Sequence, residues 1–229
     1  MADPLSIRLA AVEARIAAAC RRAGRARSEV QLVGVTKGME PAVLREAVAA
    51  GLACFGENYV QEWEAKRAAL ADLTTIAWHF IGRIQRNKAA AVAEARLVHS
   101  VADLRVAAAL EAAGARRGAP VRALVQVNLE GEATKGGIAP EALPEFLAAL
   151  CGREWLCVEG LMTIPPPLDP EATRARFRAL RELRDRQAEP ARLRELSMGM
   201  SADFEVAIEE GATLVRVGTA IFGPRKGTR

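Results

Sequence analysis

The sequence predicts an α/β chain folded as a single (β/α)8 barrel with an extra N-terminal helix. Three observations carry the prediction. Eight short apolar runs rich in β-branched residues recur along the chain, as expected of parallel strands buried on both faces. Each run is followed by a segment of helical spacing or a helical turn, and such alternation implies a parallel sheet with right-handed crossovers. No linker interrupts the pattern: the triproline stretch 165–167 is short, and the alternation resumes on both sides of it. Eight such units close naturally into a barrel, and 229 residues suit one domain spanning 1–229. A doubly wound open sheet is the competing architecture.

The elements follow in order. Leu5, Leu9, Val12, Ile16 and Ala19 stand at helical spacing, so residues 5–22 form an amphipathic helix, which Gly24 stops. Residues 31–37 form the opening strand, which ends in Lys37. Pro41 starts a helix over 43–50, where its missing N–H is no loss, and Gly51 ends it. A short strand at 53–55 runs into Gly56-Glu57-Asn58, and a helix over 59–70 follows. Residues 76–81 form the third strand, 85–95 a helix, 96–99 the fourth strand, and 102–117 an alanine-rich helix closed by Gly118. The fifth strand is 121–129. Its following loop, 130–137, holds three glycines and Lys135, and a helix over 140–150 comes next. The sixth strand is 156–162 and precedes a long charged helix over 171–187. A short seventh strand at 193–196, a turn at 197–201 and a helix over 202–210 lead to the eighth strand at 213–217. A helical turn at 218–222 and a polar basic tail end the chain.

Composition narrows the function classes. The formal net charge is +4, and basic residues are interleaved with acidic ones, as in 174–186, which reads as a solvated helix face and not a nucleic-acid stripe. Aromatic residues at 4% leave little for base stacking. Cys20, Cys54, Cys151 and Cys157 show no C-x-x-C spacing, and His79 and His99 stand apart from them. Reduced thiols in a cytoplasmic protein are therefore expected, with no metal site or disulfide framework. Cys54 and Cys157 lie inside apolar strands and read as core residues. The N-terminus lacks a secretory pattern, and no run of 18 uninterrupted apolar residues suggests a membrane span.

In a barrel, chemistry gathers at the C-terminal ends of the strands. Those ends carry Lys37, Asn58, His79, His99, Asn128, Thr163, the stretch 197–201, Arg216, and Gly218-Thr219. A lysine at a strand end can project into a pocket, where partial burial lowers its pKa and makes the amine a nucleophile toward aldehydes; the plain alternative is a surface lysine. Ser201 is placed to cap the helix after the seventh strand, and Gly218-Thr219 opens the turn after the eighth. Such N-termini suit a phosphate, and ordinary capping is the alternative. Arg216, inside an apolar strand, needs a partner, either Glu57 or another carboxylate, or a ligand atom. The two histidines read as hydrogen-bonded structural residues, without a proton-transfer role.

At these residues the chain resembles the pyridoxal phosphate homeostasis protein family, single-domain relatives of the barrel of alanine racemase. The matching segments are VGVTK (33–37), FGENYVQE (55–62), WHFIGRIQRNK (78–88), HSV (99–101), QVNLEGEATKGGI (126–138), GLM (160–162), LSMGMSADFEVAI (196–208) and GATLVRVGTAIFG (211–223). The resemblance implies pyridoxal 5′-phosphate (PLP) at the barrel mouth. Lys37 matches the lysine that forms the Schiff base, and Ser201, Gly218 and Thr219 match the phosphate-binding positions. Arg216 matches the arginine facing the pyridine nitrogen, and Asn58, His79 and Met198 match positions lining the cofactor. The segment Gly38-Met39-Glu40-Pro41 departs from the Thr-Lys-Pro common there. The implied function is storage and delivery of PLP as a monomer, with apo PLP-dependent enzymes as recipients and no turnover of its own. The alternatives are a PLP-dependent amino-acid racemase-like enzyme and a phosphate-sugar barrel enzyme without PLP.

Overall fold

The computed structural model describes residues 3–131, 136–166 and 169–224. Lys135 of the glycine-containing loop, Pro167 and the basic tail from residue 225 onward lie outside the described residues. Eight strands form one sheet: β1 (Gln31–Val35), β2 (Cys54–Glu57), β3 (Ala77–Phe80), β4 (Leu97–Val101), β5 (Val121–Gln126), β6 (Leu156–Met162), β7 (Glu195–Ser197) and β8 (Leu214–Val217). They pair in parallel and in sequence order, and β8 closes on β1 with Arg216 beside Val33. The fold is therefore a closed (β/α)8 barrel, and the open-sheet alternative falls away.

Period-two alternation sorts the side chains into two layers. Val33, Cys54, Leu97, Leu124, Met162 and Leu214 form a small apolar cluster of their own, the barrel interior. Their neighbours one residue out of step, among them Leu32, Phe55, Val98, Val125, Leu161 and Val215, pack outward against the helices in the main core. His79 lies two residues past Ala77, His99 two past Leu97 and Arg216 two past Leu214, so all three continue the inner face toward the C-terminal mouth.

The helices are α1 (Leu5–Arg22), α2 (Pro41–Ala49), α3 (Val60–Ala69), α4 (Ala89–Val92), α5 (Leu104–Arg117), α6 (Leu143–Leu150), α7 (Pro170–Asp185), α8 (Phe204–Glu209) and α9 (Thr219–Phe222). The last is a single turn, too short to cover the seam between β8 and β1. The extra helix takes that place: α1 packs on α8, α9 and α2, burying Leu5, Leu9, Val12, Ile16, Ala19 and Cys20. Arg15–Glu205 (2.8 Å) and Arg22–Glu209 (2.7 Å) pair α1 with α8 along the exposed rim.

Two expectations are corrected here, and one strand pair is irregular. The helix expected over 85–95 is a 3-10 turn, Arg86–Lys88, followed by the four residues of α4. Between β5 and β6 the register slips, so that Ala123 faces Val158 but Leu124 faces Gly160. Glu159 is the extra residue of this bulge, and Arg122 grips it with two bonds of 2.6 and 2.7 Å. Cys157 is exposed at a cleft bordered by Leu147, Cys151 and Arg192, not in the core.

Gly160 has a packing reason to be glycine. A Cβ there would stand 1.9 Å from the backbone oxygen of Glu195 on β7. Gly160→Ala must push the two strands apart and should lower the unfolding free energy by about 3 kcal/mol. Urea denaturation reads this directly, and a loss under about 1 kcal/mol would show that the strands yield freely.

Candidate functional site

Lys37 stands in the turn after β1, half-buried. The strand itself ends at Val35, two residues earlier than expected. Helix α3 holds the backbone on both sides of this lysine. On the preceding side, Lys66 Nζ donates to the Thr36 carbonyl at 2.7 Å. On the following side, the Gly38 amide donates to Glu62 Oε2 at 2.8 Å. Gly38 itself takes φ +72, a left-handed turn conformation that glycine adopts without strain.

Lys66 is the centre of this clamp. It is 4% exposed, and its three protons have three acceptors: Thr36 O, Glu57 Oε1 at 2.7 Å and Glu62 Oε2 at 3.4 Å. Thr36 Oγ1 also donates to Glu57 Oε1 at 2.5 Å. Glu57 is fully buried, and its second oxygen meets no partner among the described residues. Burial pushes its carboxyl up, against the pull of Lys66 and Thr36. Glu57 is thus committed to Lys66 on the outer side of the wall and is not the partner of Arg216.

Arg216 lies on the inner face, 4% exposed. Its Nη1 donates to Ser197 Oγ at 2.5 Å and its Nη2 to the Thr163 carbonyl at 2.8 Å. Both acceptors are neutral, and no carboxylate pairs with this guanidinium among the described residues. Burial draws its pKa down to about 10, with Asp203 opposing, so the charge persists at neutral pH. The polar chain continues across the barrel: Ser197 Oγ lies 2.8 Å from His99 Nδ1, and His99 Nε2 lies 2.9 Å from His79 Nδ1. Burial holds His79 down at about 3, aided by the charges of Arg96 and Arg122, and holds His99 well below its ordinary value.

The mouth beyond this chain carries the anion donors. Ser201 does not cap α8, whose N-cap is Asp203. Its Oγ instead accepts from the Gly218 and Ala220 amides at 3.2 and 3.3 Å, so the hydroxyl stands at the start of α9 with its own proton free to donate. Thr219 is exposed beside it. The loop carrying Ser201 is tied to β8 by the Arg216 amide, which donates to the Gly199 carbonyl at 3.0 Å. Asn58 Oδ1 is buried without a partner among the described residues.

Seven of the eight expected site residues thus lie at the C-terminal end of the barrel, on its inner face or rim. The eighth, Met198, is fully buried in the outer core between strands and helices, so its side chain does not reach that group. Two participants were missed, Glu62 and Lys66, which look like an ordinary i,i+4 pair on a helix, and Thr163, expected at a strand end, acts through its backbone carbonyl.

Two predictions follow from this geometry. Lys66→Met strands a buried carboxylate and should cost about 3–5 kcal/mol, whereas Lys66→Met with Glu57→Met should recover most of it. Equal losses in the single and double variants would contradict the pairing. The depressed histidines set a pH dependence. The unfolded chain binds protons near pH 6.5 that the fold refuses, so stability is full above that value and falls as pH drops toward 3. Between pH 6.5 and 5, above the range of ordinary carboxylates, the fall should approach about 1.4 kcal/mol per pH unit for each histidine. A flat profile in urea titrations over that window would refute the burial of neutral imidazoles.

Comparison with known proteins agrees with this layout. The model of the alanine racemase N-terminal domain matches residues 7–226. The pyridoxal phosphate homeostasis protein of Aquifex aeolicus is 46% identical over 223 residues, covering 96% of this chain and 97% of the relative. That of Pseudomonas aeruginosa is 48% identical over 220 residues, covering 95% and 94%. Among solved structures, PipY of Synechococcus elongatus with PLP bound has a TM-score of 0.83 at 38% identity, covering 96% of this chain and all of that one (100%). The alanine racemase of Corynebacterium glutamicum, 19% identical with a TM-score of 0.65, shares the barrel over 94% of this chain and 61% of its own length. By full-length sequence similarity and by fold, this chain belongs to the pyridoxal phosphate homeostasis protein family.

Proposed function

We propose that this chain binds pyridoxal 5′-phosphate at the barrel mouth, holds it covalently through Lys37, and serves PLP homeostasis by storage and delivery, without turnover of its own. The observation that carries the reading is Arg216: a buried, charged guanidinium answered only by neutral acceptors, on the inner face of the barrel whose first strand leads to Lys37. Such a group leaves positive potential in the pocket, and three of its five N–H donors are free of the bonds to Ser197 and Thr163.

The donor set fits PLP. When bound, PLP supplies an aldehyde, an electron-withdrawing ring and a phosphate dianion. Lys37 offers the amine, on a backbone that α3 immobilises. Ser201, Gly218 and Thr219 offer a hydroxyl and amides at the start of a helical turn, where a dianion is favoured. Asn58 offers an unsatisfied acceptor, and His79 lies on the inner wall. Arg216 keeps its proton and so offers a hydrogen bond but no acid. A racemase-like activity needs a second proton donor opposite Lys37. The chain's one tyrosine, Tyr59, is 58% exposed, and both histidines are held neutral.

The same proposal includes a monomer that hands PLP to apo-enzymes in the cytoplasm. Its test is direct. Borohydride reduction of the PLP-loaded protein, followed by peptide mapping, should place the pyridoxyl group on Lys37. Lys37→Ala should keep its stability within about 0.5 kcal/mol, because the residue lies in a turn, yet lose covalent attachment completely. Attachment at Lys66 or Lys88, or retained attachment in Lys37→Ala, would sink the proposal.

A further inference from the structure

The chain of polar groups across the barrel has a direction. Arginine can only donate, so Ser197 Oγ accepts from Arg216 Nη1. The serine's own proton then has one acceptor within its contacts among the described residues, His99 Nδ1 at 2.8 Å. That choice makes His99 the Nε2–H tautomer, whose proton points at His79 Nδ1, 2.9 Å away. His79, neutral and accepting at Nδ1, must in turn carry its proton on Nε2. This atom meets no protein partner among the described residues, and it is not one of the fully buried polar atoms left without a partner there. Each link follows from the one before, and the order runs from β8 through β7 and β4 to β3.

We propose that Arg216, Ser197, His99 and His79 form a polarised hydrogen-bond relay that fixes the tautomers of both imidazoles and presents His79 Nε2–H to the ligand as a donor. His79 is then a ligand-facing donor, and Ser197 and His99 are positioning residues that act through it. The inner wall offers N–H groups at both ends of the relay, Arg216 on one side and His79 on the other. Such a wall selects a ligand with acceptors facing it, namely an unprotonated ring nitrogen and an anionic ring oxygen, as in a hydroxypyridine in its phenolate form. The relay cannot take up a proton at the ligand end, where Nε2 already carries one, and cannot replace one donated there, because Arg216 does not give up its own; it binds without shuttling. The choice of ligand atoms rests on the PLP reading above; the direction of the relay does not.

The chain has only two histidines, which makes the test clean. In the ligand-free protein labelled with ¹⁵N-histidine, NMR at neutral pH should show two neutral imidazoles, both protonated at Nε2, with a scalar coupling between His79 Nδ1 and His99 Nε2. An Nδ1–H tautomer on either ring, an imidazolium, or no coupling would overturn the relay whether or not PLP binds. Ser197→Ala removes the donor to His99 Nδ1 and should admit the second tautomer, whereas Ser197→Thr, which keeps the hydroxyl, should retain the first. An unchanged tautomer in Ser197→Ala would also overturn it. On adding PLP, the Nε2 proton of His79 should shift downfield with no change of tautomer. Borohydride trapping at Lys37 on the same sample separates the two ideas: a trapped adduct with an unmoved His79 signal refutes the donor role, while no adduct refutes the PLP reading alone.

Discussion

A guanidinium buried inside an apolar barrel constrains everything around it. Desolvation penalises the charge of Arg216, yet the side chain cannot shed its proton at neutral pH. It must therefore be surrounded by acceptors. A carboxylate would cancel the field; the protein instead supplies a serine hydroxyl and a backbone carbonyl. The positive potential survives, the imidazoles beyond the serine are kept neutral, and their protons all point away from the cation. The ligand preference of the pocket follows from this one charge, which no carboxylate pairs directly among the described residues and which Asp203 offsets only through space.

The wall of the barrel separates two polar systems because successive residues of a strand face opposite ways. Inside run Arg216, Ser197, His99 and His79. Outside, between strands and helices, run Thr36, Glu57 and Lys66. The outer system is a compact buried pair, sealed by packing, and its task is mechanical. It fixes the carbonyl before Lys37 and, through Glu62, the amide after it. A flexible lysine is thus mounted on a rigid base, which restricts where its amine can be found. The two systems meet through β1, which carries Val33, beside Arg216, and the approach to Lys37, and through the pairing of β2, which carries Glu57, with β3, which carries His79.

Much of the fold was legible because each strand announces itself by apolar, β-branched residues bounded by turn residues. Lys37, Asn58, His79 and Arg216 were legible as polar groups interrupting or ending those runs. What could not be read depends on contacts between distant segments. Glu57 and Arg216 are both charged residues in strands and look like natural partners, but alternation puts them on opposite faces of the wall. Ser201 precedes a helix and looks like its cap, yet its hydroxyl turns to the start of the neighbouring α9. The bulge at Glu159 leaves no mark in the sequence, and Cys157, in an apolar run, is exposed at the cleft beside it. Met198 alternates with Ser197, and only the register decides which of them faces inward.

The most direct test of the account is a crystal structure of the protein grown with PLP. It should show density continuous from Lys37 Nζ, a phosphate within hydrogen-bond distance of Ser201 and the start of α9, and Arg216 as the group nearest the ring nitrogen. Density joined to another lysine, or a phosphate seated away from Ser201, Gly218 and Thr219, would contradict it.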